Sequence, residues 1–97
     1  ITYNDMDLYN EMLPTLNRVN GEENVNFMNA ITGAEDFSFF QEKVPGMYFF
    51  IGGAKKGTDP NLAAPHHTPD FYVDDSAMVT GLKSMTSLTL DYLNNNK

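Results

Sequence analysis

An α/β fold, with helices packed on a small sheet, is what the sequence predicts, and two observations carry it. Stretches of helical period alternate with short strand-like runs in the order helix, strand, helix, strand, loop, helix. One of those runs, MYFFIGG at 47–53, is continuously apolar between Pro45-Gly46 and Gly52-Gly53, the pattern of a strand covered on both faces. Two strands make a marginal sheet by themselves, so residues 1–97 read as a single segment at the edge of a larger α/β domain.

The first element follows from DMDLYNEMLPTLNRVNG. Asn4 or Asp5 offers a cap, Leu8, Met12, Leu16 and Val19 recur at helical spacing, and Asn20-Gly21 is a stop. Pro14 lies inside this run, which predicts a kink or two short helices, because proline gives up a backbone donor and crowds the preceding turn. NVNFMNAI then alternates Val25, Phe27 and Asn29 with Asn24, Asn26 and Met28, a short strand pattern. TGAEDFSFFQEKVPG predicts a short helix with Phe37, Phe40 and Val44 on one face, ended by Pro45-Gly46. The MYFFIGG strand follows, with Gly52-Gly53 leaving room for a loop or ligand to approach its end. Residues 54–73 form a loop by composition, broken by Gly57, Asp59, Pro60, Pro65 and Pro69, and a loop this long is usually functional or disordered. From Asp74-Asp75 a final helix places Met78, Leu82, Met85, Leu88 and Tyr92 in a stripe whose expected role is core packing.

Charge narrows the partners. Thirteen acidic residues face six basic ones, for a net charge of −7, and Lys55-Lys56 is the only cationic pair. Nucleic acid and anionic membranes need a concentrated basic patch, so neither is an expected partner. Without cysteine there is no disulfide, thiolate ligand or cysteine nucleophile. No apolar run approaches the ~18 residues of a membrane span. The chain starts at Ile1 rather than Met, which reads as a processed or trimmed piece; a cytoplasmic setting is the expectation, with no signal peptide assessable.

Two short stretches hold candidate chemistry. In AAPHHTPDF the only two histidines, His66 and His67, sit between Pro65 and Pro69. Stiffening on both sides suits either a plain turn or an imidazole held ready for a metal, with Asp70, Asp74 or Asp75 as a carboxylate to fix its tautomer. A histidine pair alone cannot complete a four-coordinate site. In TGAEDFS the turn at Gly33 and Ala34 leads into a helix, where free N–H groups can meet a carboxylate, although Glu35 and Asp36 can equally cap those groups themselves.

Taken in order, YND, GAEDFSFF, PGMYFFIGG, HHTPDF and VDDSAM resemble the C-terminal part of the dinuclear-metal amidohydrolases, the aminoacylase, hippurate hydrolase and auxin-conjugate hydrolase relatives of carboxypeptidase G. The resemblance covers nearly the whole chain. It implies a three-layer α/β metallopeptidase domain interrupted by a lid or dimerisation domain, with residues 1–97 as the return segment after that insertion. It implies two divalent ions, usually zinc but manganese, cobalt or nickel in some members, and a glutamate base, in a homodimer that cleaves the amide of N-acyl amino acids or small peptides. Carried over by motif, His67 before Thr68-Pro69 is the metal ligand. His66, Gly33, Ala34 and Glu35 become substrate neighbours, and no catalytic residue falls in the segment. The rest of the catalytic domain is then an obligatory partner, and the segment alone is expected to be inactive. The competing expectation is a non-catalytic acidic α/β interaction module with structural histidines.

Overall fold

The computed structural model describes residues 1–97 and contains three α-helices and no strand. Helix α1 spans Met6–Asn20, α2 spans Phe37–Gln41 and α3 spans Ser76–Asn95, with single 3-10 turns at Glu22–Asn24 and Pro60–Leu62. The expected sheet, and with it the three-layer α/β architecture, is therefore absent. A strand exists only where a neighbour takes its main-chain groups, and none of the backbone hydrogen bonds outside the helices joins 24–31 to 47–53. The groups that would form the second ladder are bonded elsewhere. Tyr48 N–H donates to the Asn4 side chain (2.7 Å), Gly46 C=O accepts from Asp5 N–H (3.0 Å), and Gly53 C=O accepts from Asp74 N–H (2.8 Å).

Helix α1 begins as its sequence suggests, with the Asp5 carboxylate accepting from Leu8 N–H at 2.9 Å. It runs through Pro14 as one element, so of the two expected alternatives, a kink or two short helices, the division does not occur. Asn10, whose carbonyl Pro14 cannot bond, is exposed and open to water. Gly21 ends the helix at φ 85°, a left-handed turn that glycine enters without a Cβ penalty, and its N–H reaches Asn17 C=O.

Helices α1 and α3 pack against each other around Met12, Leu16 and Leu88, the only buried apolar side chains, with Leu8, Val25, Met47 and Phe49 partly covered around them. The rest of that contact is polar. Thr15 donates to Asp91 (2.6 Å), Arg18 pairs with Asp91 (2.8 Å), and Asn20 donates to Ser84 (3.0 Å). The stripe expected to be core is mostly outside: Leu88 is 8% exposed, whereas Leu82 is 69% and Met78 64% exposed. Helix α3 turns Ser84, Leu88 and Asp91 inward because α1 presents the hydroxyl, amide and guanidinium partners that these polar groups need. No helix is long and apolar enough to cross a membrane.

Candidate functional site

The loop of 54–73 is anchored at its far end, where Asp74 N–H bonds Gly53 C=O, so the histidine pair sits between the end of the apolar run and the start of α3. Within it, Pro65 to Thr68 form a tight turn whose two inner residues are His66 and His67. His67 has φ 64°, and no other non-glycine residue has a positive φ. Left-handed backbone costs a residue with a Cβ about 1–3 kcal/mol and persists only where its surroundings impose it. Here the Thr68 hydroxyl donates to Pro65 C=O at 2.6 Å, closing the turn across both histidines. Phe71 N–H then donates to Thr68 C=O at 3.1 Å.

The two imidazoles are exposed and point apart, their ring centres 6.4 Å from each other and nearly perpendicular. His66 lies edge to face against Phe71 at 4.7 Å. It also lines a cavity of about 530 Å³ between the loop and α3, alongside Phe71, Tyr72, Ile51 and Met78, while His67 stays outside that cavity. Neither imidazole bonds a carboxylate. Asp74, one of the three expected partners, instead accepts Ser76 N–H at 3.0 Å, and that bond, more than the charge of Lys55, holds its carboxyl below the usual range.

The turn before α2 is separate from this loop, and no hydrogen bond or ring contact links the two. Gly33, Ala34 and Glu35 are exposed, and a Cβ added at Gly33 would meet nothing within 4 Å, so the structure makes no special demand for glycine there. Glu35 acts on its own neighbourhood. One carboxylate oxygen faces Phe37 N–H at 3.5 Å and the other accepts from the Tyr48 hydroxyl at 3.1 Å. Bonding to Glu35 holds the Tyr48 phenol above its ordinary value, with burial and the Glu35 charge acting in the same direction. Tyr48 is braced in turn by Phe37 (5.7 Å) and Phe50 (5.5 Å). Sequence reasoning took Thr68 only as part of the motif that marks His67, without a role of its own, and passed over Tyr48. A hydroxyl directly after the proline-flanked histidines was the available signal for Thr68; for Tyr48, inside an apolar run, there was none.

As a donor set the chain is partial. Nowhere do three His, Asp or Glu side chains converge as a metal ion requires. What it offers is one exposed imidazole on a constrained backbone, chemistry that fits a single ligand to a shared ion and not a complete site.

A family model described as "Peptidase family M20/M25/M40" matches residues 1–91, a span that includes the Gly33–Glu35 turn and the His66-His67 loop. The chain is 34% identical over 92 residues to IAA-amino acid hydrolase ILR1-like 4 of Arabidopsis thaliana, covering 95% of this chain and 20% of that protein. It is 33% identical over 96 residues to thermostable carboxypeptidase 2 of Saccharolobus solfataricus, covering 97% of this chain and 23% of that one. Against putative amidohydrolase YhaA of Bacillus subtilis it is 29% identical over 83 residues, covering 86% and 20% of the two chains. The chain thus spans about a fifth of the length of these curated relatives. No solved structure matches it.

Proposed function

Because the chain belongs to peptidase family M20/M25/M40, we propose that it is the C-terminal part of the catalytic domain of a metal-dependent amidohydrolase. In this reading its substrates are N-acyl amino acids or small peptides. The remaining metal ligands and the general base come from parts of the enzyme outside residues 1–97, and the whole enzyme works as a homodimer.

His67 is the ligand this segment contributes, and the observation that carries the reading is its backbone. The residue that the His-Thr-Pro motif singles out is also the one non-glycine residue held at positive φ, and such strain clusters at ligand clamps and active sites. Two divalent ions, zinc first among the candidates, would polarise the scissile carbonyl and lower the pKa of a water nucleophile. The segment's own residues orient and enclose. His67 offers an imidazole nitrogen from a rigid turn, His66 stands beside it with its ring on Phe71, and the Gly33–Glu35 turn lines the substrate side.

The test is His67→Ala in the full-length enzyme. We expect bound metal to fall and kcat/KM for an N-acyl amino acid to drop by about 100-fold or more, since even partners one step removed from a metal are worth about 10–100-fold. Unchanged metal content and turnover would remove His67 from the site.

A further inference from the structure

We propose that Thr68 is a positioning residue: its hydroxyl, closed on the Pro65 carbonyl, locks His67 in the left-handed conformation that presents its imidazole to the metal. This rests on the reading of His67 as a ligand.

Three observations lead to it. The φ of 64° at His67 needs something to impose it. The usual device for a four-residue turn is a backbone bond from its fourth N–H to its first C=O; His66 and His67 form such a turn, but the Thr68 N–H to Pro65 C=O bond is a weak one that falls outside good hydrogen-bond geometry. The Thr68 hydroxyl makes the well-formed bond to that carbonyl, at 2.6 Å, so a side chain reinforces the ring of atoms that contains both histidines.

Thr68 is also the best-anchored residue of the turn. It is half-buried where both histidines are exposed. Its carbonyl accepts Phe71 N–H at 3.1 Å, and the Phe71 ring rests against His66 at 4.7 Å. Pro69 restricts its backbone from the other side. Loss of the hydroxyl would leave the Pro65 carbonyl only the weak backbone bond of the turn and let His67 relax toward negative φ, swinging its imidazole away, with no ligand atom removed.

The experiment uses the full-length enzyme, stripped of metal and titrated with zinc ions against a chelating indicator, with thermal melting recorded alongside. Thr68→Val keeps the shape and removes the hydroxyl, Thr68→Ser keeps the hydroxyl, and His67→Ala serves as the reference. Zinc binding about 10-fold weaker or more in Thr68→Val, retained in Thr68→Ser, supports the clasp. Wild-type zinc affinity in Thr68→Val beside a loss in His67→Ala overturns the clasp and leaves the ligand reading standing. Equal weakening by Val and Ser also overturns it, because the hydroxyl is then not the cause. No loss in His67→Ala sinks the ligand reading, and the clasp's role with it.

Discussion

Gly46 is where an added methyl group meets the neighbour least able to move. A Cβ there would lie 2.7 Å from Gln41 Cγ and 3.3 Å from the Phe37 ring. Gln41 is ill placed to yield, because its amide nitrogen binds the carbonyls of both Tyr3 and Gly46, and its Oε1 is buried without a partner. Gly46→Ala should therefore destabilise the fold by about 1–3 kcal/mol, read as a lower midpoint in chemical denaturation; an unchanged midpoint would mean that Gln41 repacks freely. The sequence showed Gly46 only as part of a Pro-Gly stop. The true constraint comes from a side chain five residues back, which local composition does not reveal. At His67 the flanking prolines were legible, but the positive φ and the Thr68 hydroxyl bond to the Pro65 carbonyl were not.

Among elements, the α1 and α3 pairing has an acid-sensitive joint. The bond from Thr15, and after it the bond and charge of Arg18, hold the Asp91 carboxyl below its ordinary value. A carboxylate with a depressed pKa stabilises the fold at all pH above its unfolded value of ~3.9, and that contribution disappears as pH falls through the lowered folded value. The chain should accordingly melt higher than Asp91→Asn near neutrality, and the gap should close as pH drops below ~4. A gap that stayed constant down to that acidity would exclude Asp91 ionisation as its source. All three helices were legible from local signals, the apolar period and the flanking turn residues, although only α1 makes the side-chain cap bond. Which face of α3 turns inward was not: the apolar stripe of Met78, Leu82 and Met85 is outside, and the face with Ser84 and Asp91 is inside.

On the scale of the whole molecule, apolar surface is in excess. Three large apolar side chains are buried while many others, Phe27, Phe40, Leu62 and Leu82 among them, are more than two thirds exposed or close to it. The radius of gyration is 14.7 Å, against about 12.5 Å for a compact domain of this length. So much open apolar surface is characteristic of a surface made to be covered. The isolated chain should accordingly bind an environment-sensitive apolar dye with strong fluorescence gain, which should disappear in the full-length enzyme; a dye-silent, cooperatively melting monomer would count against the segment reading. The sequence by itself determined the family, through motifs whose order survives without any fold, and the three helices, whose periods and flanking turn residues lie close together in the chain. It also marked the histidine loop. Tertiary structure alone decided that no sheet forms here and which face of α3 is buried. Both depend on partners distant in the chain, whereas the backbone of His67 is set within its own turn.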